Sequence, residues 1–191
     1  MKKIYIYLFD GYSDWEIGYL TPEIRKNKDS EIVYFSKDGK DVISMGGLQV
    51  RVSESLNDID INQMNMLILP GGSMWEGKCD EKIEGLIRSA YAKNKTVAAI
   101  CGAVTCLARL GMLDKVKHTA NDLNYLKAIV PSYRGETEYQ HTLAFEDQGI
   151  ITASGIAPLE FAREVFRISG LKSDEENENW YQLFKNGIWK G

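Results

Sequence analysis

The chain has 191 residues, 44% hydrophobic and 26% charged; that balance excludes a disordered chain, and the length excludes a disulfide-stapled miniprotein. Its 23 basic and 27 acidic residues leave a net charge of −4, so there is no basic surplus for phosphates and no nucleic-acid partner is expected. The 3 cysteines are an odd, low count that fits free thiols in a reducing compartment.

Met1-Lys2-Lys3 has the look of a secretion signal, but the apolar run behind it covers only residues 4–9 and stops at Asp10. A signal core takes about 7–15 apolar residues, and a membrane span roughly 18. The expected location is the cytoplasm, with no membrane partner. Short runs rich in Ile, Val, Leu and aromatics at 4–9, 32–35, 66–69, 97–101 and 150–153 read as buried strands without alternation, the pattern of a parallel sheet covered on both faces. Gly46-Gly47 within 42–52 marks a small edge hairpin, and 138–147 reads as a further strand near the edge.

Helical patterns fall between these strands. Ser13-x-x-Glu16 has capping-box form. Over 80–93, Ile83, Leu86, Ile87, Ala90 and Tyr91 make one apolar stripe behind Asp80 as N-cap. Residues 104–110 form a helix directly after the fourth strand. Pro158 stands in the first turn of a helix over 159–168, and Ser173 to Glu176 is a second capping box ahead of Trp180, Leu183 and Phe184. Strand–helix alternation implies an α/β sandwich, and the absence of repeats and linkers implies a single domain over 1–191.

In open α/β sheets chemistry gathers beyond the carboxyl ends of the strands. Cys101 stands there, between a buried strand and a helix that begins after Gly102-Ala103. A nucleophile on such a turn projects from the sheet, the helix dipole favours its thiolate, and backbone N–H groups receive an oxyanion. The competing reading is a buried small residue. Glu16, after the first strand, is either a helix cap or a carboxyl sharing a proton with the thiol. Gly71-Gly72 is either an ordinary turn or a second oxyanion donor. Trp15 and Trp75, both in strand-end loops, are read as pocket-lining aromatics.

Gly72-x-x-x-x-Gly77-Lys78 nearly spells a phosphate loop, but Cys79 replaces the magnesium-binding hydroxyl, so no nucleotide is expected. His118 and His141 lack metal-ligand spacing, as do the cysteines, so no metal and no cofactor are expected. His118 and His141 are read as structural, and Cys106 as core.

The stretch Ala98-Ala99-Ile100-Cys101-Gly102-Ala103, with Leu107-Ala108 and Gly111-Met112-Leu113, resembles the ThiJ/PfpI family of the class I glutamine amidotransferase-like superfamily. Asp10-Gly11 with Glu16, Leu69-Pro70-Gly71-Gly72, and Thr152-Ala153-Ser154-Gly155 with Pro158 match its other loops in order, over about residues 3–170. The resemblance implies a flavodoxin-like three-layer fold, often a homodimer, with Cys101 as nucleophile, Glu16 as carboxyl partner, and Gly72 and Gly102 as oxyanion donors. It implies hydrolase or lyase chemistry on a small amide or carbonyl substrate. Protease members carry a His directly after the Cys, where this chain has Gly102; others carry a His after the Thr of the next strand, where Thr119 is followed by Ala120-Asn121. Asn121 orients a substrate by hydrogen bonds but is no base. Alternatives are a stress protein that senses oxidants through a low-pKa Cys101, and an amidotransferase-like protein without transferase activity.

Overall fold

The computed structural model describes residues 1–77 and 79–190; Lys78 of the phosphate-loop-like motif lies outside them. Five strands run parallel: β1 (Lys2–Tyr7), β2 (Ser30–Ser36), β6 (Met64–Leu69), β7 (Thr96–Ile100) and β9 (Ile150–Ala153). They lie in the order β2-β1-β6-β7-β9, which is the flavodoxin-like order. Short β5 (Glu54–Ser55) extends the sheet beyond β2, and β8 (Ala144–Asp147) pairs antiparallel to β9 on the far edge. The chain leaves β1 toward β2 and later returns to the other side of β1 as β6. The two loops diverge at that switch point and open a crevice above the strand ends.

The central strands are apolar on both faces because helices cover both. On one side α1 (Trp15–Gly18), α2 (Leu20–Lys26) and α6 (Pro158–Ser169) pack together, and α7 (Asp174–Asn186) lies on α6. On the other side α3 (Glu81–Ala92) and α4 (Ala103–Arg109) pack against β7, with α5 (Leu123–Ile129) beside α4. Ile4, Ile6, Leu67, Ile68, Val97 and Ile100 fill the core from the sheet, and Ile83, Ile87, Phe161, Val165 and Phe166 from the helices. The caps form as the sequence predicts. Asp80 accepts Lys82 N–H at 2.9 Å, and Ser173 and Glu176 make a reciprocal box. Among the described residues, no helix is long and apolar enough to cross a membrane.

Two local expectations are corrected. The strand expected over 138–147 is only β8; before it, Glu136–Glu138 is a 3-10 turn and Tyr139 bridges to His118. Ser13 does not cap a helix: α1 follows Asp14, whose side chain makes no cap bond, because it is engaged elsewhere. Asp14 Oδ2 accepts Ser44 Oγ at 2.5 Å and Gly46 N–H at 3.0 Å. Ser44 and Gly46 lie in the hairpin of β3 (Val42–Ile43) and β4 (Gln49–Val50), which forms a two-stranded sheet of its own and braces the loop after β1. Gly11 N–H to Ile43 O and Met45 N–H to Tyr12 O complete the brace.

Hydrogen bonds to a carboxylate contribute about 1.5–3 kcal/mol each. Asp14→Ala is therefore expected to lower stability by about 2 kcal/mol and to speed amide exchange in residues 44–48 before the sheet opens, as hydrogen-exchange mass spectrometry would read directly.

Candidate active site

Four strand-end loops meet above the crevice. From β7 comes Cys101, with φ at +60°. A left-handed backbone at a non-glycine residue costs about 1–3 kcal/mol and persists only where neighbours impose it. Here Cys101 N–H donates to Ala153 O at 2.9 Å, extending the β7–β9 pairing, while Val104 N–H already turns back to Cys101 O at 3.2 Å. The chain changes from strand to helix within one residue, and the thiol is held out from the sheet.

From β1 comes Glu16, with 0% of its surface exposed. Its Oε2 accepts Gly71 N–H, from the loop after β6, at 2.5 Å. Its Oε1 is buried without a hydrogen-bond partner of ordinary geometry, and the Ser13 hydroxyl and the Cys101 thiol both face the carboxyl. Burial raises Glu16 to about 7 against the pull of those donors. Burial also raises the Cys101 thiol, and the Glu16 charge adds to it, outweighing Asn121 and Gly102 N–H. The expected lowering of the thiol by the helix dipole is thus corrected. Helix α4 has only 7 residues, and a neighbouring carboxylate outweighs a partial charge at a helix end. Glu16 titrates across neutral pH, and its charge state bears on the Cys101 thiol beside it.

Asn121 and β9 close the other side. Gly155 N–H donates to Asn121 Oδ1 at 2.8 Å, which turns the amide so that Nδ2 faces Cys101 Sγ at 3.4 Å. Trp15 Nε1 donates to Gly155 O at 3.1 Å. Trp15, Cys101, Asn121, Ser154, Gly155, Ile156 and Pro158 line a cavity of about 520 Å³. Two glycines leave room for this arrangement. A Cβ on Gly71 would lie 2.6 Å from Cys101 Cβ and 2.7 Å from Glu16 Oε2; one on Gly155 would lie 2.7 Å from Cys101 Sγ.

Cys101, Glu16, Gly102, Trp15 and Asn121 therefore come together. Gly72 adjoins them, its carbonyl close to Gly102, with φ at +148° and no space for a side chain beside Phe9. Trp75 does not line the cavity: it is 0% exposed, bonded through Nε1 to Pro70 O at 2.8 Å and packed edge-on to Tyr7 and Phe9. His118 is buried between Val116 O and Tyr133 Oη, with its pKa lowered by that burial, and His141 is exposed in a loop. Neither lines the cavity. Sequence reasoning missed Gly71 as the donor to Glu16, and Gly155 as the residue that orients Asn121. The signal for Gly155 was its position at the end of a strand beside Cys101.

A buried acid thus faces a thiol on a strand-to-helix turn, at the switch point of a parallel α/β sheet. The chain belongs to the DJ-1/PfpI family, whose model matches residues 2–168. It is 37% identical to a Bacillus subtilis protein named uncharacterized protease YoaZ, over 96% of this chain and 91% of that one. It is 28% identical to deglycase PfpI of Pyrococcus furiosus, over 62% of this chain and 71% of that one. The solved structure of a thiJ/pfpI family protein from Bacillus anthracis superposes with a TM-score of 0.91 at 38% identity, covering 98% of this chain and 92% of the other.

Two predictions follow from this geometry. Glu16 has a folded pKa of about 7, above the 4.5 of a free carboxyl. Between those values the folded state holds more protons than the unfolded state, so stability is full below pH 4.5 and falls as pH rises through 7. Denaturant titrations should show a decline of about 3 kcal/mol across that window, flattened in Glu16→Gln. Gly155→Ala meets the thiol rather than a forbidden φ, so the fold should survive with a loss of about 1–3 kcal/mol and slower alkylation of Cys101.

Proposed function

We propose that the protein is a hydrolase or lyase that uses Cys101 as nucleophile on a small carbonyl or amide compound, with Glu16 as proton partner. The observation that carries this reading is the placement of Cys101. The thiol is held on a strained turn, at a cavity of about 520 Å³, with a proton-sharing carboxyl on one side and an oriented amide on the other. That volume suits a small molecule.

As Sγ attacks the carbonyl carbon, Glu16 takes the thiol proton. The new C–S bond pushes the carbonyl electron pair onto oxygen, where the N–H groups of Gly72 and Gly102 are the proposed donors. Glu16 then returns the proton, to that oxygen in an aldehyde adduct or to the leaving nitrogen of an amide. Water attacking the resulting thioester gives its proton to Glu16 and regenerates the thiol. A carboxyl with a pKa of about 7 suits both directions of transfer at neutral pH.

The relatives named protease and deglycase both carry names for bond cleavage, which supports the coarse class. Both histidines lie outside the cavity, which favours a small substrate over a peptide cleaved by a Cys–His pair. A raised Cys101 thiol argues against the oxidant-sensor alternative, which needs a thiolate that persists in the resting state. We place the protein in a reducing cytoplasm, in keeping with its three free cysteines, and as a homodimer, the assembly its family resemblance implies.

A panel of α-oxoaldehydes, their thiol and amine adducts, primary amides and short peptides is the test. Turnover of a small carbonyl or amide compound is expected, abolished by Cys101→Ala and lowered about 10²–10⁴-fold in kcat by Glu16→Gln. Turnover that persists in Cys101→Ala would overturn the assignment.

A further inference from the structure

A second thiol cluster lies behind the active site. Cys79 ends the loop that follows β6, just before the N-cap of α3, and Cys106 sits in the middle of α4. Cys106 is 0% exposed. The sulfurs of Cys79 and Cys106 and a carboxylate oxygen of Glu84 all lie within 4.8 Å of one another. Arg109, one turn beyond Cys106, points a guanidinium nitrogen at Cys79 Sγ, 3.6 Å away. A guanidinium on the ligand sulfur opposes a metal cation at this cluster, so the pair is better suited to chemistry between its own sulfurs.

We propose that Cys79 and Cys106 are a thiol–disulfide redox couple, separate from Cys101, with Cys79 as the thiol that attacks a small peroxide and Cys106 as the thiol that resolves the product. Three features support this. Cys79, 5% exposed, adjoins a surface pocket of about 570 Å³ with Lys37, Asp80, Glu81 and Lys82, whereas Cys106 lies fully buried, so a small peroxide meets Cys79 first. The Cys106 thiol donates to Cys79, and that bond together with Arg109 lowers Cys79, whereas the same bond and burial raise Cys106. The guanidinium on its sulfur and its place beside the pocket give Cys79 the attacking role. Cys79 belongs to no helix or strand, so it is free to close the remaining distance to a disulfide length of about 2 Å.

The reaction balances. Cys79 Sγ attacks one oxygen of hydrogen peroxide, the O–O bond breaks, and the departing hydroxide takes the thiol proton to leave as water. Cys106 Sγ then attacks the sulfenic sulfur. The S–O bond breaks, hydroxide leaves with the Cys106 proton as a second water, and the S–S bond forms. Two thiols are oxidised and one peroxide is reduced. The bond would fasten the end of the loop carrying Gly71 and Gly72 to α4. That loop is already held to α4 by Trp75 O, which accepts Thr105 Oγ1 at 2.9 Å and Arg109 at 2.6 Å.

The test uses the full chain carrying Cys101→Ala, so that the active-site thiol cannot contribute. Reduced protein is titrated with hydrogen peroxide, quenched with N-ethylmaleimide, digested and mapped by mass spectrometry. The expected product is a Cys79–Cys106 linked peptide, with both alkylation sites lost together and restored by dithiothreitol. Replacing Cys106 by Ala should leave a Cys79 sulfenic acid that dimedone traps. Glu84→Gln removes a like charge from beside the sulfur and should speed the reaction by up to about tenfold, an effect that loss of packing alone would not produce. Stepwise oxygen addition to Cys79 while Cys106 is present, chain-to-chain dimers through Cys79, or two thiols that resist peroxide until the protein unfolds would each overturn the proposal. Phenylarsine oxide, which bridges two close thiols, gives an independent reading: it should protect both cysteines from alkylation in the reduced protein, and should no longer protect Cys106 after Cys79→Ser.

Discussion

Glu16 is removed from water, and a carboxyl in that position needs donors, a proton, or both. It obtains one donor from the backbone of Gly71 and faces Cys101 with its other oxygen. This pairing constrains everything around it. The β6 loop must lie within hydrogen-bond reach of the β1 loop, which leaves Gly71 without room for a Cβ. The thiol must stand out from the end of β7, which places Cys101 in a left-handed conformation. The neighbouring β9 loop must give way to the sulfur, which requires glycine at 155. One buried acid thus accounts for three unusual backbone positions on three different loops.

The sheet supplies the rigidity that this arrangement needs. Side chains placed at the ends of adjacent parallel strands inherit their spacing from the ladder, which loops alone could not maintain. The hairpin bound to Asp14 adds a second constraint, because it holds the segment from which α1 presents Glu16. Neighbouring residues therefore divide the work: Asp14 fixes the loop, Trp15 roofs the cavity through Gly155 O, and Glu16 turns inward. The short helix of 4 residues that contains the last two lets their side chains leave in such different directions.

Much of this was legible in the sequence. The five parallel strands were, because continuous Ile/Val/Leu runs are what two-sided burial demands, and Cys101 was, because a strand running straight into Gly-Ala and a helix leaves few geometries. The failures have physical causes. Trp75 and Trp15 look alike in sequence, each an aromatic after a strand. The tertiary packing of Tyr7 and Phe9 draws one inward, while the other bonds to Gly155 O. Ser13 and Glu16 have the spacing of a capping box, but burying the carboxyl against the thiol took precedence over capping a helix of one turn. The upward push on the Cys101 thiol was not legible, because a helix start is visible in sequence whereas burial beside a carboxyl is not. Nothing in the separation of Cys79 from Cys106 marks them as neighbours; only the packing of α4 on the β6 loop brings them together.

Cys101, just before α4, and Cys106, within it, illustrate how environment divides one chemistry. Cys101 and Cys106 lie on the same turn-and-helix unit, and burial raises both. They differ in what faces them. Cys101 meets a carboxyl that is itself near its midpoint at neutral pH and can take up its proton, and a cavity gives carbonyl-sized molecules access to its sulfur. Cys106 meets a second sulfur backed by a guanidinium, with no opening of its own, so its accessible chemistry runs through Cys79. A proton-sharing partner suits nucleophilic attack that must be reversed in each cycle. A sulfur partner suits oxidation that a thiol reductant reverses. The separation depends on Glu16 and Arg109 lying at opposite ends of α4, so that each thiol feels one of them strongly.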